Sequence, residues 1–274
     1  MNRNNKDSHS IIIGAGLSGL VAATRLQEAG FKVTVVEGGA EVGGRMIPYR
    51  MNIGDGLASI FECGAQFFTV REPRFEKMVA DCLARGLVLE WSRGFATADG
   101  SYYSDGHTRY RGQPDMGAMA RDLANNLDVR LGSKVEAVTS QDDGWLLHLE
   151  DGKYFEAGAV ILTPPVPQSV ALLSLADHFL NQGNHQRLSR INYEPCIALL
   201  VQLDGPGQIP EPGGMWPIGE PIAWLADNYR KGVSPMPGAI TIHAGAEFSE
   251  DNWEQDEVIL ETRLLAAVAE WLGT

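Results

Sequence analysis

The chain has 274 residues, enough for one large domain or two interleaved ones at roughly 150 residues per domain. A hydrophobic share of 44% with 21% charged residues excludes wholesale disorder. A net charge of -13 argues against a nucleic-acid binder, which needs a basic surface.

In chain order, residues 1–9 are polar and read as a frayed start. Ser10–Ile13 is a β-branched strand, and Gly14-Ala-Gly-Leu-Ser-Gly19 follows it. A helical pattern through Leu20, Val21, Ala23 and Leu26 ends at Gly30, and Lys32–Glu37 is a second strand. Strand, glycine turn, helix and strand make one βαβ unit. Residues 38–64 read as a long glycine-rich irregular connection. A helix is expected over Phe75–Leu83 and another over Pro114–Leu127, with short strands at Leu87–Trp91, Tyr102–Tyr103 and Thr108–Arg111. Strands follow at Val129–Leu131, Lys134–Thr139 and Trp145–Glu150, with hairpin turns at Asp143-Gly144 and Asp151-Gly152. Ala159–Leu162 is a continuous apolar run and so reads as a fully buried strand. Helices at Val166–Ser174 and Leu175–Arg187 precede a strand at Pro195–Leu203, and the proline- and glycine-rich stretch Pro206–Pro217 reads as a loop. Strands at Ala223–Ala226 and Ala239–His243 lead to a long amphipathic helix over Glu254–Leu272.

Cys63, Cys82 and Cys196 show no C-x-x-C spacing, and an odd count builds no disulfide framework. The chain therefore reads as a reduced cytoplasmic protein, each thiol a small buried hydrophobe. No stretch approaches the about 18 to 20 apolar residues of a membrane span. The run 11–23, broken by three glycines, is not read as a signal peptide.

The strongest chemical signal is Gly14-x-Gly16-x-x-Gly19 between strand and helix. Gly14 permits the tight turn, Gly16 lets the backbone approach a pyrophosphate, and Gly19 lets helix pack on strand. The helix amino terminus, which includes Leu17 and Ser18, faces the anion. Glu37, ending the second strand before Gly38, is placed to accept hydrogen bonds from ribose hydroxyls and to repel a 2′-phosphate. The fingerprint alone allows NAD or FAD. A second cradle, Glu41-Val-Gly43-Gly44-Arg45-Met46, selects FAD: its glycines permit close backbone approach, and Arg45 offers a fork of donors to a phosphate or flavin carbonyl.

These motifs resemble the amino terminus of flavin-containing amine oxidase-type proteins, and most of all their renalase-like branch. The finer resemblance rests on Glu62-Cys-Gly64-Ala65-Gln66-Phe67-Phe68-Thr69, with Glu62 where the branch usually has Asp and Phe67 where it has Tyr. It continues through Arg71-x-Pro73-x-Phe75, Tyr110-x-Gly112-x-Pro114-x-Met116, Ala159-Val-Ile-Leu-Thr-Pro164, Trp224-Leu-Ala-x-Asn228, His243-Ala and Glu247-Phe-Ser249. The resemblance implies an α/β fold: a Rossmann-like FAD-binding domain (1–66 and 127–172) interleaved with an α+β substrate domain on a mixed or antiparallel sheet (67–126 and 173–274). It implies that Val135 contacts the adenine through its main chain and that Thr163 meets the cofactor at the end of its strand. Gly64, Ala65 and Gln66 are expected beside the isoalloxazine ring.

The family pattern continues with a strand, a Gly-Asp dipeptide and a glycine-rich helix, to which this sequence has no match. The expectation is that this chain alone holds FAD weakly or not at all and turns over poorly, unless it dimerises through an open strand edge or occurs as part of a longer parent. Covalent attachment is not expected, because the usual cysteine anchor belongs to that segment.

An FAD enzyme needs orientation, desolvation and hydrogen bonds from its side chains rather than a nucleophile. The six histidines show no H-x-x-x-H pair, so no metal site is expected. Gln66, Phe67, Trp224 and His243 are the candidate pocket residues, with Trp216 and Tyr110 as further aromatics. His243, at the end of an apolar strand, reads first as a satisfied core or rim histidine and second as pocket lining. The resemblance implies oxidation of a small reduced substrate, a dihydronicotinamide isomer, with dioxygen reduced to hydrogen peroxide and neither nucleic acid nor membrane as partner. An FAD-dependent amine oxidase, a desaturase-like enzyme and an inactive remnant that only binds are the alternatives.

Overall fold

The computed structural model describes residues 9–173, 181–217 and 219–273. The chain divides into two compact units, Met1–Gly44 with Ala120–Tyr193 and Arg45–Met119 with Glu194–Thr274. The changeovers thus fall at 44, 119 and 193 rather than at the expected 66, 126 and 172. Two ties account for this. Ile60 N–H donates to the Ser234 hydroxyl at 3.3 Å, which holds residues 49–61 in the second unit. Val166 N–H donates to the Tyr193 hydroxyl at 3.2 Å, which keeps residues up to 193 in the first.

The chain opens with β1 (His9–Ile13), α1 (Leu17–Glu28) and β2 (Lys32–Val36), the expected βαβ unit, with His9 already inside the strand. Gly30, at φ +85°, turns the chain out of α1. After a 3-10 turn (Gly44–Met46) come β3 (Tyr49–Gly54) and β4 (Leu57–Phe61), an antiparallel hairpin where an irregular connection is expected. Its signal is the Gly-Asp-Gly turn, with Asp55 at φ +52°. Helix α2 (Pro73–Ala84) starts where Glu72 accepts from the Arg74 and Phe75 amides.

Next are β5 (Val88–Ser92), β6 (Phe95–Thr97), β7 (Tyr102–Tyr103), β8 (Arg109–Gly112) and α3 (Ala118–Ala124). Helix α3 is shorter than expected. The Asp115 carboxylate accepts from Gly117 N–H at 2.9 Å, so residues 114–117 form a turn and not a first helical turn. The chain continues through β9 (Asp128–Arg130), β10 (Val135–Gln141), β11 (Gly144–Leu149), β12 (Tyr154–Ala157), β13 (Ala159–Leu162), α4 (Val166–Leu172) and α5 (Gln182–Leu188). The part of the expected 166–174 and 175–187 helices that falls on 174–180 lies outside the described residues. Last come β14 (Ala198–Gln202), β15 (Gly214–Trp216), β16 (Ile222–Asp227), β17 (Ala239–Ala244), α6 (Ala246–Asp251) and α7 (Glu257–Leu272). Strand β15 lies in the stretch read as a loop. Asp256 accepts from Val258 N–H and starts α7 three residues later than its periodicity suggests.

The first unit carries a four-stranded sheet in the order β13-β1-β2-β9, parallel throughout, and an antiparallel sheet β10-β11-β12. Ile11, Ile13, Val36, Val138 and Leu147 lie in its core. Strand β13 exists as expected but is not fully buried: Ala159 is exposed and Val160, Ile161 and Leu162 are half-buried. An apolar run reports a strand's composition, not its place in a sheet, and β13 is an edge here.

The second unit is built on a six-stranded mixed sheet, β14-β17-β16-β15-β6-β7, and also holds the hairpin β3-β4 and the antiparallel pair β5-β8. Leu264, Val268 and Leu272 of α7 share a buried cluster with Leu225, Ile240 and Ile242. The molecule is thus α/β: a Rossmann-like unit interleaved with an α+β unit on a mixed sheet. No helix among the described residues is long and apolar enough to cross a membrane.

Candidate functional site

In the first unit the glycine turn is held from several sides. Gly14 sits at φ +102°, closed to ordinary side chains, and its N–H donates to Val36 O at 2.8 Å. A Cβ on Gly19 would lie 2.0 Å from the Gly14 carbonyl oxygen, so only glycine lets α1 pack this closely. A Cβ on Gly16 would meet nothing within 4 Å, which leaves the turn's outer face open. Thr163 closes the turn from below, its hydroxyl donating to Ile13 O at 2.8 Å.

Glu37 stands at the end of β2. Its carboxylate accepts from Ala15 N–H at 2.7 Å and from Gly39 N–H at 2.8 Å. Each oxygen keeps a second acceptor position for a hydroxyl. Gly43 N–H donates to Ala15 O at 2.9 Å, and a Cβ on Gly44 would approach the Gly16 Cα at 3.5 Å, so the second cradle lies directly on the first. Val135 begins β10 in the buried core, and Gly38 lies against Lys134.

These residues fit a dinucleotide. Helix α1 has no side-chain cap and no acid in its first turn, so the N–H groups there await an external anion. The open face at Gly16 is where a pyrophosphate would approach. Gly14, Gly16, Leu17, Ser18, Gly19, Glu37, Gly38, Gly43, Gly44, Val135 and Thr163 all belong to this unit.

The second unit holds Arg45, Met46, Gly64, Ala65 and Gln66. The Arg45 side chain is exposed. Ala65 N–H donates to Arg45 O at 2.9 Å, and a Cβ on Gly64 would lie 2.1 Å from that same oxygen. The Glu62–Gln66 turn therefore packs on the Arg45 backbone. The Gln66 side chain differs from the expectation of a group offered to a ligand. Its Nε2 donates to Glu62 O and to Gly64 O (3.3 Å), and its Oε1 accepts from Lys231 Nζ at 3.1 Å. Gln66 braces the turn from within.

Phe67 belongs to a ring cluster with Trp91, Phe95, Trp216 and Trp224, with centroid separations of 4.8 to 6.2 Å. Trp91 and Phe95 are absent from the sequence-based pocket set because they lie on strands remote in the chain. The Arg109 guanidinium lies 5.9 Å from the Phe67 ring and 5.7 Å from the Trp216 ring. Tyr110 is elsewhere: it stacks on Phe68 at 5.7 Å in the cluster with Val79 and Met119. Cys82 is buried, but Cys63 is half-buried and Cys196 exposed, so the thiols do not share one role.

His243 Nε2 lies 2.8 Å from Cys63 O. A carbonyl only accepts, so Nε2 carries the proton. Burial pushes the His243 pKa below its usual 6.5; the Cys63 carbonyl opposes this and the Lys231 charge adds to it. Between the lowered folded value and the unfolded one the unfolded chain binds more protons. This contribution to stability is complete above 6.5 and is lost as pH falls toward the folded value. Replacing His243 with Gln should therefore shrink the difference in denaturant midpoint between about pH 8 and about pH 5. An undiminished difference would assign that pH dependence to other groups.

No group of three or more His, Cys, Asp or Glu side chains among the described residues could hold a metal ion. Residues 12–82 match the model of the NAD(P)-binding Rossmann-like domain, and residues 84–236 match that of flavin-containing amine oxidoreductase. The L-amino-acid oxidase of Siganus canaliculatus is 50% identical over 46 residues, 17% of this chain and 9% of that protein. The L-amino-acid oxidase of Mus musculus is 44% identical over 50 residues, 18% of this chain and 8% of that protein. These matches span less than a tenth of the curated relatives' own length. Among solved structures, putrescine oxidase bound to putrescine aligns over 97% of this chain and 81% of its own, with a TM-score of 0.69 at 16% identity. A CLA-producing fatty acid isomerase from P. acnes aligns over 87% of this chain and 77% of its own, with a TM-score of 0.64 at 15% identity. Likeness at such identities shows the fold. The flavin-containing amine oxidoreductase model spans more than half of the sequence, and the chain belongs to that family, whose cofactor is FAD.

Proposed function

We propose that this chain is an FAD-dependent oxidase that oxidises a small reduced substrate, a dihydronicotinamide isomer, with dioxygen as electron acceptor and hydrogen peroxide as product. The carrying observation is the glycine cradle with Glu37, whose geometry suits a bound dinucleotide. Gly14, Gly16 and the uncapped start of α1 would hold the pyrophosphate, and Glu37 the adenosine ribose. FAD held there would supply two-electron chemistry, with a hydride taken from substrate and dioxygen as the final acceptor.

The chain's own part is to bind, orient and exclude water. The half-buried rings of Phe67, Trp91 and Trp216, packed on the buried Phe95 and Trp224, would offer flat apolar surface to a neutral dihydropyridine ring. The charged groups over its ring faces are both cations, Arg109 on Phe67 and Trp216 and Lys231 at 4.4 Å on Trp91. Amine oxidation remains the second reading, because the relatives matched here are named as L-amino-acid oxidases.

The test is anaerobic mixing of the protein, loaded with saturating FAD, with dihydronicotinamide isomers, with L-amino acids and with putrescine. Bleaching of the flavin bands by a dihydronicotinamide isomer, then recovery with peroxide release on admitting air, is expected. Bleaching by an amine alone would install the second reading, and no bleaching by any of them would overturn both. Acid precipitation should release the colour to the supernatant, since attachment is non-covalent; a yellow pellet would contradict that.

A further inference from the structure

Lys231 is wholly buried, and the chemistry above gives it no part beyond its contact with the Trp91 ring. An ammonium has three protons, and this one has three acceptors. It is ion-paired with Glu62 Oε2, donates to Gln66 O at 2.5 Å and donates to Gln66 Oε1 at 3.1 Å. The Trp91 ring, fixed by its Nε1–H to Pro212 O at 2.9 Å, covers the ammonium at 4.4 Å. The partners are themselves fixed. Glu62 Oε1 accepts from Met116 N–H at 2.6 Å, and Glu62 N–H donates to Asn228 Oδ1 at 3.1 Å. Asn228 in turn donates to Ala239 O and to the Thr241 hydroxyl on β17. Lys231 N–H returns to Asp227 O at 2.9 Å, so the lysine stands on a turn directly after β16.

A buried ion pair is costly to desolvate, and in some proteins such groups serve to fix one arrangement among several. The arrangement fixed here is the Glu62–Gln66 turn, gripped at both ends by one side chain. That turn meets the Arg45 backbone through Ala65 N–H and the close approach of Gly64. Arg45, Gly64 and Ala65 belong to the candidate cofactor set.

We propose that Lys231 is a positioning residue: through Glu62 and Gln66 it holds the 62–66 turn, and with it the Arg45 backbone, in the geometry that receives the flavin. This rests on the FAD reading above, and the experiment separates the two. Lys231→Met alone strands the Glu62 charge, so the double variant Glu62→Gln/Lys231→Met is made beside it. Val268→Ala, in the α7 core of the same unit, controls for general loss of stability. Two readouts are taken: hydrogen exchange of the Ala65 amide in the FAD-free protein, and FAD affinity with the visible spectrum at saturating FAD. In the double variant we expect Ala65 exchange to rise at least tenfold, FAD binding to weaken at least tenfold and the flavin bands to shift; Val268→Ala should leave all three unchanged. Unchanged Ala65 exchange in the double variant would overturn the proposal. Faster exchange with unaltered FAD affinity and spectrum would overturn its cofactor half. If the unsubstituted chain binds no FAD, the functional reading fails, and Ala65 exchange still decides whether Lys231 holds the turn.

Discussion

Substituting Gly19 with alanine should reduce FAD affinity at least tenfold. The added methyl would sit 2.0 Å from the Gly14 carbonyl oxygen and 3.0 Å from the Thr163 hydroxyl oxygen. The first neighbour is backbone, so relief comes only by moving α1 away from the turn. Overpacking of this kind costs about 1–3 kcal/mol and sometimes more. Here the displaced element is the helix start that would face the pyrophosphate, so structural cost and binding loss fall on the same atoms. Helix α1 also buries Leu20 and Ala23, and a melting temperature several degrees lower should accompany the lost affinity. Titration of the FAD-free variant checks the prediction. Wild-type affinity would mean that the turn moves without consequence and that the pyrophosphate binds elsewhere.

Glu37→Ala should weaken FAD binding at least tenfold. Each hydrogen bond to a charged group contributes about 1.5–3 kcal/mol, and up to two reach the ribose. The carboxylate has a second task, since it already accepts from the Ala15 and Gly39 amides. Ala15 is fully buried. Losing its acceptor leaves an unpaired buried amide, which costs about 1–3 kcal/mol. Glu37→Ala should therefore lower the stability of the FAD-free protein as well, whereas a residue serving only the ribose would not. Glu37→Gln, which keeps one acceptor oxygen, should fall between. Unchanged affinity in Glu37→Ala would remove Glu37 from the site.

The cofactor cradle was legible because its signals are local: strand, glycine turn, helix and acid follow within one short stretch, each fixed by its neighbours. The same holds for the turn at Asp151-Gly152 and for the β10-β11 hairpin, though its loop falls on Asp142-Asp143 with Gly144 already in β11. The β3-β4 hairpin carries an equally local signal in Gly54-Asp55-Gly56, but the surrounding glycines masked its alternation. What spacing does not reveal is partnership across the chain. Glu62 and Lys231 each look like a solvated charge, and only the fold brings them together away from water. Phe67, Trp216 and Trp224 could be named as aromatics but not as one cluster with Trp91 and Phe95, and nothing local separates Tyr110 from them. Edge position is equally invisible, because Ala159–Leu162 has the composition of a central strand.

The chain's passage out of one unit and back has a consequence for how the protein is made. Ser10 pairs with Ala159 and Thr34 with Asp128, so the parallel sheet cannot close until most of the chain has left the ribosome. The other unit waits longer still, since Phe95 and Trp224 meet from opposite ends of its sequence and α7 supplies part of its core. The first unit has all its residues once Tyr193 is made, while residues 45–119 wait for the rest of their own unit. Such long-range pairing makes folding slow and leaves apolar strands uncovered meanwhile. Synthesis rate and chaperone supply should therefore govern the yield of soluble protein more strongly than small changes in final stability.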